Sequence, residues 1–142
     1  MNCKKILVMG LPGSGKTTLA KLLVPMFNAV WLNADKVREE ANDWDFTIEG
    51  RDRQANRMRL LAHQATSENR NLIADFVCPT EYTRKEFNAD YTIWMNTIKT
   101  GRYEDTNKMF EEPKNPDFIV THFEADMWAY LIKNDIYEKF NL

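Results

Sequence analysis

The stretch Gly10-Leu11-Pro12-Gly13-Ser14-Gly15-Lys16-Thr17 constrains this chain more than any other. It satisfies at every fixed position the pattern of a glycine, four residues, then Gly-Lys-Thr or Gly-Lys-Ser. An apolar run, Lys5 to Met9, precedes it, and Thr17 to Phe27 follows with Leu19, Ala20, Leu22, Leu23 and Met26 at helical spacing. Strand, glycine loop and helix in that order make a phosphate-binding loop. Glycines let successive backbone N–H groups converge on phosphate oxygens, and the helix N-terminus adds about half a positive charge. Lys16 is expected to bridge the β- and γ-phosphates and the Thr17 hydroxyl to take Mg²⁺, so Gly10, Leu11, Pro12, Gly13, Ser14, Gly15, Lys16, Thr17 and Thr18 form the expected ATP-binding segment.

The rest of the chain supplies the frame for that loop. At 142 residues and 44% hydrophobic content, it has the size of one domain with one core. Ala29 to Leu32, Leu72 to Val77, Tyr91 to Met95 and Phe118 to Thr121 read as further strands, with helix-length segments between them. Residues 51 to 68 place Ala55, Met58, Ala62 and Ala65 on one helical face, with Leu61 beside them and arginines opposite. Thr121-His122-Phe123-Glu124 has the form of a capping box, followed by Ala125, Trp128, Leu131, Ile132 and Ile136 at helical period. The expected fold is α/β, a three-layer P-loop fold whose parallel sheet of about five strands carries helices on both faces. Residues 99 to 116 lack apolar period and hold Pro113 and Pro116, so they read as a mobile lid-like loop in a single domain spanning 1 to 142.

Charge and cysteine content narrow the setting. A net charge of -2 offers no global field for a nucleic-acid backbone, which argues against nucleic acid as a partner. Locally, residues 51 to 70 hold five Arg against Asp52 and Glu68, a place for an anion. Cys3 and Cys78 lie in no disulfide or zinc spacing, and no apolar run approaches the roughly 18 residues that span a bilayer, so a cytoplasmic setting without a membrane partner is expected. Self-association is left open.

Which chemistry the phosphate loop serves depends on the remaining polar residues. Leu72-Ile73-Ala74-Asp75 reads as an apolar strand ending in a metal-linked aspartate, while Asp35 follows the second strand after Asn33 and Ala34. Either could hold Mg²⁺ through water, and either could orient an acceptor hydroxyl. The single Asn-Lys pair, Asn107-Lys108, is followed by Met109 and Phe110 rather than completing a guanine-reading NKxD, so a GTPase reading loses its main support. A small kinase instead needs an acceptor site facing the γ-phosphate, and Arg38, Arg51, Arg53 and Arg57 are candidates for binding an acceptor that already carries an anion. Phe46 and Phe76 flank that region. His63 and His122 have no partner at metal-ligand spacing and read as structural, as does Cys78.

Beyond the loop, the sequence resembles the adenylylsulfate kinases over residues 5 to about 95. Their second strand ends in Asp-Gly-Asp followed by Asn-Val-Arg; here the same place reads Asn33-Ala34-Asp35-Lys36-Val37-Arg38. Their Leu-Asn, Gly-Phe-Ser and Asp-Arg segments correspond to Ala41-Asn42, Asp45-Phe46-Thr47 and Gly50-Arg51, and their Phe-Ile-Ser-Pro to Phe76-Val77-Cys78-Pro79. The resemblance implies an ATP- and Mg²⁺-dependent kinase that phosphorylates a hydroxyl of a small anionic acceptor such as adenylylsulfate. It implies Arg38, Arg51 and Gln54, with Phe76 and the backbone at Val77, as acceptor contacts, and Asp35 as base or metal-linked residue beside Thr17. Lys16, Asp35 and Asp75 are then the expected catalytic groups. Three departures stand out: Asn33 replaces the first Asp of Asp-Gly-Asp, Gln54 replaces Asn, and Asp75 stands where a small polar residue is usual. The family's Arg-Asp-Pro-Lys-Gly-Leu-Tyr lid segment is also absent; here the lid cation would be Lys99 or Arg102. Another nucleotide, a metabolite or a hydroxymethylated base as acceptor, or a nucleotide-binding module without transfer, are the alternatives.

Overall fold

The computed structural model describes residues 3–142. Its strands are β1 (Lys5–Met9), β2 (Val30–Asn33), β3 (Leu72–Asp75), β4 (Tyr91–Met95) and β5 (Phe118–Val120), and its helices α1 (Lys16–Met26), α2 (Ala34–Ala41), α3 (Ile48–Ser67), α4 (Glu81–Phe87), α5 (Glu104–Met109) and α6 (Ala125–Phe140). The five strands form one parallel sheet in the order β2-β3-β1-β4-β5. β1 sits at its centre, with Leu7 beside Ala74 on one side and Thr92 on the other. A strand paired on both edges and covered on both faces has no polar side, which is why Ile6 to Met9 form an unbroken apolar run.

Strand alternation divides the interior in two. Ile6 and Val8 join Leu19, Ala20 and Leu23 of α1 and Ala129, Ile132 and Ile136 of α6. Leu7 and Met9 point the other way, toward Val37 of α2, Met58, Ala62 and Ala65 of α3, and Phe87 of α4. Each fully buried side chain of this size contributes about 1.5–3 kcal/mol relative to exposure. The three-layer parallel architecture expected from the sequence is thus the one observed.

Two local expectations are corrected. Thr121 and Glu124 form no capping box: α6 starts at Ala125, so Glu124 is the N-cap itself and caps nothing with its side chain. A box needs its Glu three residues inside the helix. The chain is steered into α6 instead by the Trp128 indole, which donates to the His122 carbonyl at 3.0 Å. A true capping box opens α4, between Thr80 and Thr83. The lid-like segment 99–116 is also more ordered than expected. It contains α5, closed onto its approach by paired bonds between the Asn107 amide and the Gly101 backbone at 2.7 and 3.1 Å. Its second half is strapped to the start of α4: Glu111 N–H donates to the Pro79 carbonyl at 2.7 Å, and the Glu111 carboxylate accepts from Glu81 N–H at 2.9 Å. Polar tethers, not an apolar stripe, hold this segment, so hydrophobic periodicity could not reveal it.

Candidate active site

The phosphate loop leaves β1 at Gly10 and enters α1 at Gly15, the helix N-cap, which sits in left-handed backbone at φ 96°. A Cβ there would be strained by that φ and would press to 3.3 Å from the Phe123 ring. The Thr97 hydroxyl donates to the Ser14 carbonyl at 2.7 Å, fastening the loop to the end of β4. The Ser14 hydroxyl is buried with no partner, an orphaned donor in a loop whose sequence calls for phosphate oxygens. Lys16 curls back to donate to the Leu11 carbonyl at 3.0 Å. Burial pushes its ammonium down to about 8, while Asp75 and Asp35 pull it back up and Arg102 adds to the lowering.

Beside the loop, register brings the ends of β2 and β3 together, with Asn33 directly opposite Asp75. Asp75 is 2% exposed. Its Oδ2 accepts from the Trp31 indole N–H at 2.6 Å, and its Oδ1 from the Asn33 amide at 3.1 Å and the Thr17 hydroxyl at 3.4 Å. Burial raises its carboxyl above the usual range, while these donors and Lys16 oppose the rise. The donor set at this end is hard oxygen, the Thr17 hydroxyl and the Asp75 carboxylate, with room left for phosphate oxygens; it fits Mg²⁺ carried in with a nucleotide. No group of three or more His, Cys, Asp or Glu side chains suited to a metal occurs among the described residues. Asp35 lies in the first turn of α2, exposed, and lines the same cleft.

The opposite wall is built from α2, α3 and the loop between them. Arg38 is 5% exposed, donates to the Asp43 and Asp45 carbonyls at 2.9 and 3.1 Å, and stacks over the Phe46 ring at 4.3 Å. Arg51 donates to the Phe46 carbonyl and to the Thr106 hydroxyl of α5, each at 2.9 Å. Gln54, also buried, donates to the Ala34 carbonyl at 3.0 Å. Neither Arg38 nor Arg51 meets a carboxylate in these bonds; their acceptors are carbonyls and a hydroxyl. Arg53 and Arg57 differ: both are paired with Asp43, and Arg53 also with Asp45 at 2.9 Å, which neutralises them as acceptor cations. Phe46 is 54% exposed in the cleft, whereas Phe76 is 6% exposed and packs edge-on against Phe87, a core residue bordering the site. Cys78 is buried and its thiol is pushed up to about 12 by desolvation, which disfavours the thiolate.

These walls enclose one cleft of about 1550 Å³, lined at one end by Lys16, Thr17 and Asp75 and at the other by Arg38, Arg51 and Gln54. Phe76 and Val77 border it, and Arg102 enters from the lid side while Lys99 lies outside. Of these two, Arg102 is the one beside the phosphate loop, its guanidinium 3.9 Å from where a Cβ on Gly13 would stand. Sequence reasoning missed Trp31, Thr106 and Phe123. Trp31 read as an apolar strand residue, although a tryptophan two positions before a strand-end Asn shares its face. Thr106 carried no signal, since its contact with Arg51 spans 55 positions.

A protein-family profile described as an AAA domain matches residues 6–90, and the chain belongs to that family. Among curated proteins none matches. Among solved structures, the APS kinase of Mycobacterium tuberculosis in complex with AMPPNP and APS is 21% identical, with a TM-score of 0.73 over 94% of this chain and 97% of that one. A sugar kinase from Janibacter gives 0.76 at 12% identity, covering 95% of each chain. A shikimate kinase from Acinetobacter baumannii in complex with shikimate gives 0.64 at 18%, covering 97% of this chain and 95% of that one. The chain shares the fold of these P-loop kinases and is adenylylsulfate kinase-like in architecture.

Proposed function

We propose that this member of the AAA domain family is an ATP-dependent small-molecule kinase that transfers the γ-phosphoryl group to a hydroxyl of an anionic acceptor, adenylylsulfate or a compound of that class. The observation that carries this reading is the polarity of this cleft: phosphate loop, Thr17 and Asp75 at one end, two arginines not paired to carboxylates at the other. Arrangement of this kind suits in-line transfer, where positioning and charge stabilisation outweigh covalent chemistry.

In this mechanism Lys16 leaves the Leu11 carbonyl and holds the β- and γ-phosphates, offsetting charge that develops on the transferring group. Thr17 and Asp75 would hold Mg²⁺, which would supply charge neutralisation to the phosphates. Asp35, at the start of α2, orients the acceptor hydroxyl and receives its proton. Arg38 and Arg51 receive the acceptor's anion, with Gln54 and the Val77 backbone beside them, and Arg102 closes from the lid onto the transferring phosphate.

The test is steady-state kinetics with MgATP and labelled adenylylsulfate, followed by detection of a more highly phosphorylated nucleotide. Lys16→Ala is expected to abolish turnover with the fold intact, and Arg51→Ala to raise the acceptor KM more than it lowers kcat. Unchanged turnover in the Lys16 variant would exclude the mechanism. A less charged hydroxylated acceptor is the second reading, favoured by Glu104 and Asp105, which bring two carboxylates to the cleft beside Arg102. Screening sugars, nucleosides and nucleotides as acceptors separates the two, and tight ATP binding without any phosphorylated product would point to a binding module.

A further inference from the structure

Three residues around the carboxylate at the end of β3 suggest a division of labour that the kinase reading leaves open. Asn33 and Asp75, two of the departures noted from the sequence, turn out to be direct register partners. The carboxylate missing from the end of β2 is present on the end of the adjacent strand, and an amide faces it at 3.1 Å. Trp31 lies two residues earlier on the same face of β2 and aims its indole N–H at the second carboxylate oxygen, 2.6 Å away. The Asn33 amide also reaches Oδ2 at 3.3 Å and the Thr17 hydroxyl at 3.4 Å, so a single side chain spans the carboxylate and the loop threonine.

The chemistry of the donors is informative. A buried carboxylate can be held by a cation, which cancels its charge, or by neutral N–H groups, which favour the ionised form while leaving the net charge in place. Asp75 has the second arrangement: an indole and an amide donate to it, and Lys16 bonds to Leu11 instead. An indole has one donor on a rigid ring, so it fixes the carboxylate rotamer without competing for a cation. Packing alone would account for a tryptophan against α1, but not for its N–H aimed at the one strand-end carboxylate that touches Thr17.

We propose that Trp31 and Asn33 are positioning residues that orient the Asp75 carboxylate, with Thr17, toward the Mg²⁺ of the bound nucleotide. The inference rests on the kinase reading for the identity of the nucleotide, not for the contact itself. Outer-sphere hydrogen bonds of this kind are worth about 10–100-fold in metal affinity.

The test is calorimetric binding of ATP with and without Mg²⁺ to the native chain, Trp31→Phe and Asn33→Ser, the serine keeping an oxygen to cap α2. Expected is an ATP affinity unchanged without metal, and a Mg²⁺-dependent gain reduced about tenfold in each variant. Adding Asp75→Asn to Trp31→Phe should cost no more than Asp75→Asn alone, because both act through one carboxylate. In parallel, the Trp31 indole N–H resonance, assigned by its loss in Trp31→Phe, should shift when Asp75 becomes Asn in nucleotide-free protein. An unshifted resonance, a full Mg²⁺ gain in both variants, or equal loss of affinity with and without metal would each overturn the proposal. Failure of the native chain to bind ATP at all, with the indole shift observed, would instead overturn the kinase reading.

Discussion

Lys16 bonded to the Leu11 carbonyl is a lysine waiting for a better acceptor, and its depressed ammonium makes that exchange depend on pH. In the free protein the group is protonated below about 8 and neutral above it. A triphosphate binds the ammonium form. ATP affinity should therefore be flat on the acid side of that value and fall as pH rises through it, by up to about tenfold per pH unit, because binding then requires proton uptake. Calorimetry across that range, in buffers of different ionisation enthalpy, reads both the fall and the proton. Asp75 gives the complementary case. Replacing its neighbour by a second carboxylate, Asn33→Asp, exchanges a donor at 3.1 Å for a like charge. The variant should lose about 1–3 kcal/mol of stability at neutral pH without metal and recover much of it with MgATP, as thermal denaturation would show.

At the scale of elements, the loop between α2 and α3 is held by charge rather than by apolar contact. Asp43 is bonded by Arg53 and Arg57, which hold its carboxyl well below the usual range, while Asp45 is held at about 2 first by its hydrogen bonds from Thr47 and then by Arg53. Groups with lowered folded values add stability that is present above the ordinary carboxylate range and lost as pH falls through the folded value. Melting temperature should accordingly decline on acidification toward pH about 2, and Asp43→Asn should flatten that decline. The first turn of α3 is fitted just as closely: a Cβ on Gly50 would overlap the Asp45 carbonyl oxygen. Gly50→Ala should cost about 1–3 kcal/mol and raise the acceptor KM with kcat less affected, since the displaced loop carries Phe46 and the carbonyls that hold Arg38. The stripe of Met58, Ala62 and Ala65 made α3 legible from its spacing, and Gly-Lys-Thr placed α1. Nothing periodic marked α5 or the partners of Arg53 and Arg57, because a polar tether leaves no pattern along the chain.

Across the whole molecule, the sheet order decides what the sequence leaves open. Five strands were readable one by one, but only the adjacency of β2 and β3 sets Asn33 against Asp75, 42 positions apart, beside the loop that follows β1. The site lies where the strands end, as in other open parallel sheets, and residues 99 to 116 are bonded to its walls at separate points. One of those points is the bond from Arg51 to the Thr106 hydroxyl, which joins α3 to α5 while Arg51 also holds the Phe46 carbonyl. Thr106 is 2% exposed, so replacing it by valine preserves shape but leaves an arginine donor without its partner, a local cost of about 1–2 kcal/mol. Because that cost falls on the docking of α5 and not on the sheet, hydrogen exchange in Thr106→Val should quicken across residues 104 to 109 and remain unchanged in β1, β3 and β4. MgATP affinity should hold, since the phosphate loop is anchored separately through Thr97 and Ser14, while acceptor kcat/KM falls several-fold as Arg51 loses its fixed orientation. Exchange in α5 that is indifferent to the substitution would mean that the Glu111 strap alone keeps the lid in place.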